Sequence, residues 1–127
     1  MTKVLFVCVG NSGRSVLAEH LLRADGGGAH DARSAGAHPE QGVEPRVVEV
    51  LGELGIDASG HVPRQLTPEL TQWADVIVAA CDGVCEPVQG KRFEGWQLPD
   101  PWVMSLDQVR ALRDDVRVQV AELLKTL

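Results

Sequence analysis

No apolar run in this chain approaches the roughly 20 residues that a membrane-spanning helix requires. The longest, such as Val76 to Cys81, are of strand length, so no membrane partner is expected. Concentrated positive charge is missing too: 12 Lys and Arg are scattered among 18 Asp and Glu, for a formal net charge of −6. Nucleic-acid binding needs a basic face to neutralise phosphates, and none is readable. The acidic balance still permits a small anionic ligand, because salt screens charges beyond about 8 Å and the groups lining a site decide what binds. Cysteine is scarce, with three residues at positions 8, 81 and 85. That number is too low and too odd for a disulfide framework and leaves redox or metal chemistry as the alternatives. His20, His30, His38 and His61 do not cluster with the cysteines at metal-ligand spacings, so no metal is expected. Met1-Thr2-Lys3 leads straight into a strand pattern with no signal-peptide architecture, which sets the expected location as the cytoplasm.

What is present is an ordinary globular composition. With 127 residues, 44% apolar and 24% charged, residues 1–127 read as one domain with one core and one functional site. Repeats, low-complexity tracts and linkers are absent. Residues 3–8 form a buried-strand run that ends at Gly10, Asn11 and Gly13, and Val16, Leu17, His20, Leu21 and Ala24 then fall at helical spacing until Gly26-Gly27-Gly28. A short strand is expected around Asp31 to Ser34, followed by the loop 35–42. A helix follows, entered through Pro45, carrying Val47, Val48, Val50, Leu51 and Leu54, and ended by Gly55. Thr67-Pro68-Glu69 reads as N-cap, first-turn proline and dipole-favoured acid of a short helix toward Trp73. The run 75–81 suits a strand covered on both faces, 93–98 a last short strand, and Ser105 with Gln108 a capping box for a terminal helix. Alternating strands and helices imply an α/β fold with a parallel sheet, whose ligands bind beyond the carboxyl ends of the strands. Cys8 and Cys81 are expected at that same edge.

The segment Cys8-Val9-Gly10-Asn11-Ser12-Gly13-Arg14-Ser15 joins a strand to a helix start, where backbone N–H groups are unpaired and the dipole favours an anion. Gly10 and Gly13 let the backbone curl so that the N–H groups from Val9 to Ser15 converge on one tetrahedral oxyanion. Arg14 closes the cradle with a two-pronged hydrogen bond. The same surroundings favour the ionised sulfur of Cys8, the nucleophile. Asn11 suits a left-handed backbone position, and Ser15 is placed to hydrogen-bond the sulfur.

These residues, with Ser34-Ala35-Gly36, the apolar strand to Cys81, Asp100-Pro101 and the terminal helix, make the chain similar over most of its length to the low-molecular-weight tyrosine phosphatase superfamily, and within it to the thioredoxin-coupled arsenate reductases. The resemblance implies a single three-layer α/β/α domain with a four-stranded parallel sheet in the order 2-1-3-4. It also implies that Asp100 is the general acid. Phosphatases and reductases share the loop and the acid, because phosphate esters and arsenate are both tetrahedral oxyanions open to attack by a thiolate. Cys81 and Cys85, four residues apart, favour the reductase, since a hydrolytic phosphatase needs no resolving thiol.

The expected route is attack of Cys8 on arsenate, resolution by Cys81, transfer of the disulfide to Cys81–Cys85 and its reduction by thioredoxin or a comparable dithiol. No bound cofactor is expected, phosphate or sulfate should act as site analogues, and a monomer is expected. Some reductases of this group hold potassium beside the loop. Glu19 and Ser34 match two of its ligands, but Arg64 stands where a carboxylate belongs, so no potassium and a Glu19–Arg64 pair are the expectations. The rival reading is a phosphatase, for which Trp102 after Asp100-Pro101 supplies an aromatic wall; a non-enzymatic oxyanion-binding module is the third. Trp96 is read as flanking the acid, Trp73 as core, and the histidines carry no assigned role.

Overall fold

The structure is a computed structural model that describes residues 1–81 and 86–127. Among the described residues, strands β1 (Lys3–Cys8), β2 (Asp31–Gly36), β3 (Val76–Ala79) and β4 (Arg92–Gly95) form one sheet in the order β2-β1-β3-β4. All three pairings are parallel, and they align Val7 with Ala35 on one side and Ala79 on the other. The helices are α1 (Arg14–Asp25), α2 (Pro45–Gly52), α3 (Pro68–Trp73) and α4 (Leu106–Leu124), with a short 3-10 turn at Pro101–Val103.

Strand alternation assigns the two faces. Val4, Phe6, Val76 and Val78 join the buried residues of α1, α2 and α4 in the main core, with Trp96 tilted against Phe6 at 5.7 Å between ring centroids. Leu5, Val7 and Ile77 face the opposite side, where Leu66, Leu70 and Trp73 cover them. Each fully buried Leu, Ile or Phe adds about 1.5–3 kcal/mol relative to exposure, so β1, buried from Val4 to Cys8, is the most firmly held strand. Trp73 is only half-buried, at the edge of the smaller core, and lies beneath the Arg33 guanidinium at 4.3 Å.

Local signals place most helix ends. The Thr67 side chain accepts from Leu70 N–H, and Ser105 and Gln108 form the full reciprocal capping box. No described helix is long and apolar enough to cross a membrane. Strand ends differ from expectation. β2 runs on to Gly36, because it follows β1 residue for residue up to Cys8. β3 stops at Ala79, two residues before Cys81, and β4 occupies 92–95 rather than 93–98. An edge strand can pair only as far as its neighbour extends; beyond Gly95 single bonds remain, from Trp96 N–H to Ala79 and from Leu98 N–H to Ala80.

Candidate active site

The loop between β1 and α1 is turned by hydrogen bonds on its outer side. Carbonyls of Cys8, Val9, Gly10 and Ser12 accept from the N–H groups of Ala37, His38, Glu40 and Glu44, at 3.1, 2.8, 2.9 and 2.8 Å. Across a planar trans peptide the carbonyl of one residue and the N–H of the next point oppositely. With those carbonyls directed outward, the N–H groups of Val9, Gly10, Asn11 and Gly13 point inward. Helix α1 starts with no side-chain cap and no acid in its first turn, so its positive end is also open to an anion.

Cys8, 2% exposed, lies at the floor of this ring. Its sulfur receives the Asn11 N–H at 3.2 Å and sits 2.8 Å from Ser15 Oγ. The Asn11 side chain fixes that serine: Nδ2 donates to Ser15 Oγ at 2.9 Å and to Ser34 Oγ at 2.8 Å, while Oδ1 accepts from the backbone N–H of Arg64 at 3.0 Å. Ser15 Oγ accepts from Asn11 and keeps its own hydrogen to donate to an ionised sulfur. Asn11 takes φ 49°, a left-handed position that asparagine tolerates better than most residues.

Cys8, Val9, Gly10, Ser12, Gly13 and Arg14 line a cavity of about 70 Å³ together with Glu40, Asp100, Pro101 and Trp102. Pockets for larger molecules run to roughly 300–1,000 Å³, so this one suits a small tetrahedral anion. Arg14 donates to the Leu98 carbonyl at 3.2 Å, which steers its guanidinium along the wall. Asp100 is exposed, and its Oδ1 accepts from Trp102 N–H at 3.0 Å. Trp102, 44% exposed, donates from its indole nitrogen to Ser12 Oγ at 2.8 Å, tying the acid-bearing segment to the loop. A Cβ on Gly13 would lie 2.4 Å from Pro101 Cγ, and one on Gly36 2.8 Å from Asn11 N, so both glycines permit close approach of neighbouring chain segments.

The structure brings Cys8, the 9–15 loop and Asp100 together. Cys81 is half-buried, beyond the end of β3 on the strand next to Cys8, and is not among the cavity-lining residues. Cys85 lies outside the described residues. Trp96 does not flank Asp100; it is buried against Phe6, and its indole N–H reaches Glu94. The Glu19–Arg64 pair is not formed. Glu19 lies 3.3 Å from Arg23, one helical turn away, and accepts from Ser34 Oγ at 2.7 Å, while Arg64 is exposed and engages Asn11 through its backbone.

Three contributors escaped the sequence reading. Residues 37–44 form the outer brace of the loop, and Glu40 among them lines the cavity. Buried Glu44 caps α2 and holds Arg46, whose guanidinium reaches the carbonyls of Trp102 and Met104. Only the turn-forming composition of 35–42 marked this stretch, and nothing local marks its partners.

A strand-end thiol on the floor of an amide ring, faced by an arginine and a carboxylic acid, defines a class of α/β enzymes that attack tetrahedral oxyanions through cysteine. The family model for low molecular weight phosphotyrosine protein phosphatases matches residues 3–127, and the chain belongs to that family. It is similar to the glutaredoxin arsenate reductase of a Synechocystis species, 35% identical over 98% of this chain and 97% of the relative. It superposes on the thioredoxin-dependent arsenate reductase of Corynebacterium glutamicum with TM-score 0.85 and 31% identity, over 99% of this chain and 61% of that one. The low molecular weight protein tyrosine phosphatase of T. tengcongensis gives TM-score 0.90 and 27% identity over the whole of both chains.

Proposed function

We propose that this protein reduces arsenate to arsenite through Cys8, Cys81 and Cys85, with a dithiol protein as external reductant. The observation that carries the reading is a second cysteine, Cys81, just past the end of the strand beside Cys8, in a chain whose relatives include reductases by name. Adjacent strands lie about 4.8 Å apart, so a modest shift of the segment after Ala79 brings the second sulfur to the first.

Inward N–H groups and Arg14 hold the arsenate oxygens. Cys8 thiolate forms a sulfur–arsenic bond while Asp100 gives its proton to the departing oxygen, which leaves as water. Cys81 then attacks the Cys8 sulfur. The sulfur–arsenic bond breaks toward arsenic, whose oxidation state falls from V to III, and a Cys8–Cys81 disulfide remains as arsenite departs. Cys85 attacks Cys81 and returns Cys8 as thiolate, and the external dithiol, proposed as thioredoxin, reduces the Cys81–Cys85 disulfide. The protein acts as a monomer in the cytoplasm, with arsenic detoxification as the outcome and phosphate or sulfate as competitors for the loop.

Arsenite release assayed with thioredoxin, its reductase and NADPH tests this. Wild type should turn over continuously, Cys85→Ser should stop after one equivalent, and Cys8→Ser should release none. Equal turnover by Cys81→Ser would overturn the relay. Glutaredoxin replacing thioredoxin as the productive partner would change the reductant while keeping the relay. Trp102 at the rim favours a second reading, an aryl-ester phosphatase; rapid p-nitrophenyl phosphate hydrolysis indifferent to Cys81→Ser would establish it.

A further inference from the structure

On the far side of Asn11 from the thiol lies a larger cavity of about 330 Å³, lined by Glu19, His20, Arg23, Asp57, His61 and Arg64 among others. The proposed reaction uses none of their side chains. One donor atom from each of Glu19, His20 and His61 lies within 4.8 Å of the other two. His20 Nε2 is 3.4 Å from His61 Nδ1 and 3.8 Å from Glu19 Oε2.

The hydrogen-bond network sets how these rings are protonated. Asn11 Nδ2 faces two serine oxygens and Oδ1 accepts from the Arg64 N–H, so the amide orientation is determined. His61 Nε2, 3.2 Å from the same Oδ1, must therefore carry a hydrogen, and in the neutral ring Nδ1 is left with a lone pair aimed at His20. An imidazole that donates one N–H to a fixed oxygen and offers the other nitrogen is the usual arrangement of a metal ligand. The contact between the rings then makes His20 Nε2 the donor to His61 Nδ1, and ion binding shifts that hydrogen to His20 Nδ1. Two nitrogens bound at 2.0–2.1 Å to a tetrahedral ion stand about 3.3–3.4 Å apart, which matches the pair as found.

We propose that Glu19, His20 and His61 bind a divalent first-row transition ion of the zinc type, with water or exposed Asp57 completing the coordination. This differs from a potassium site, which takes oxygen ligands; here imidazoles turn the preference to softer ions. Arg23 gives up its contact with Glu19 and keeps those with the Ala32 carbonyl and Asp31, while Arg64 is exposed. Their charge makes binding weaker than at a structural zinc site. Because His61 donates to Asn11, which holds Ser15 against Cys8, the ion would sit one residue behind the oxyanion loop and brace it.

Zinc titration by calorimetry, run in parallel on wild type, His20→Ala and His61→Ala, tests the site. The thiols are common to all three proteins, so differences isolate the imidazoles. His20 does not touch Asn11, and alanine suits its helix, so His20→Ala should stay folded and lose at least tenfold in zinc affinity. Substoichiometric cobalt should broaden the His20 and His61 ring resonances of wild type first. Folded His20→Ala binding zinc as tightly as wild type, or cobalt broadening that spares both rings, would overturn the proposal.

Discussion

One wall of the cavity above Cys8, the loop 8–15, is mostly buried and hydrogen-bonded on both of its sides, whereas the facing wall, 98–102, is largely exposed and hangs from a few contacts. In the first, the residue 37–44 brace holds the carbonyls and Asn11, Ser15 and Ser34 hold the interior. In the second, Pro101 packs on Gly13, Trp102 reaches Ser12, and Arg46 gathers the backbone carbonyls. The difference follows the chemistry. Charge stabilisation depends on donors that do not reorganise during reaction, so the anion ring is built into the fold. The proposed general acid needs reach to the departing oxygen and access to solvent protons, and Asp100 stands at the surface.

The comparison can be broken from either side. Gly13→Ala places a Cβ 2.4 Å from Pro101 Cγ and pushes the acid-bearing wall outward. Displacement of a reacting group by about 1 Å costs on the order of 10²-fold, so kcat should fall by that order while the melting temperature barely moves. Steady-state arsenite release alongside thermal melts checks this; equal loss of stability and rate would show that the two walls are not separable. Asn11→Ala strikes the rigid wall and leaves the Arg64 N–H, His61 and Ser15 without their partner. Chemical denaturation should show about 1–3 kcal/mol of lost stability, and phosphate should bind more weakly. Retention of both would mean that the buried network is dispensable to the loop.

The smallest effect is expected away from both walls, where Glu53, just past the end of α2, is joined to Arg110 and Arg113 of α4. Hydrogen bonding from Arg110, aided by Arg113, lowers its pKa from 4.5 to about 2. A depressed carboxyl contributes stability that is complete above pH 4.5 and is lost as pH falls toward 2, because the unfolded chain takes up the proton first. Glu53→Gln should therefore flatten the acid limb of the melting profile below pH 4.5 and leave neutral-pH turnover unchanged. An unaltered acid limb would assign that limb to other carboxylates.

Much of this site is local and was readable in the chain. Gly10, Asn11 and Gly13 between a strand run and a helix run announce a turned loop at a helix start, and a helix start offers unpaired N–H groups wherever it occurs. Ser105 with Gln108 and Thr67 with Pro68 mark helix starts for the same reason, since a cap is satisfied within three residues. The i,i+4 spacing of Glu19 and Arg23 was an equally local signal, and it outweighed the longer-range pairing expected with Arg64. Strand ends were less legible, because β4 pairs only as far as β3 extends and β3 ends one pair short of β1.

By itself, then, the sequence determined the periodicities, the caps and the glycine-bearing turn between Cys8 and a helix start, each of which depends on residues a few positions apart. Only the tertiary structure decided that Asn11 faces Arg64 and His61, that Glu40 lines the cavity, that Arg46 carries the acid-bearing segment and that Trp96 belongs to the core. Those contacts join groups many residues apart in the chain. They exist because parallel pairing in the order β2-β1-β3-β4 gathers the strand ends at one edge, and no local propensity encodes which distant groups meet there.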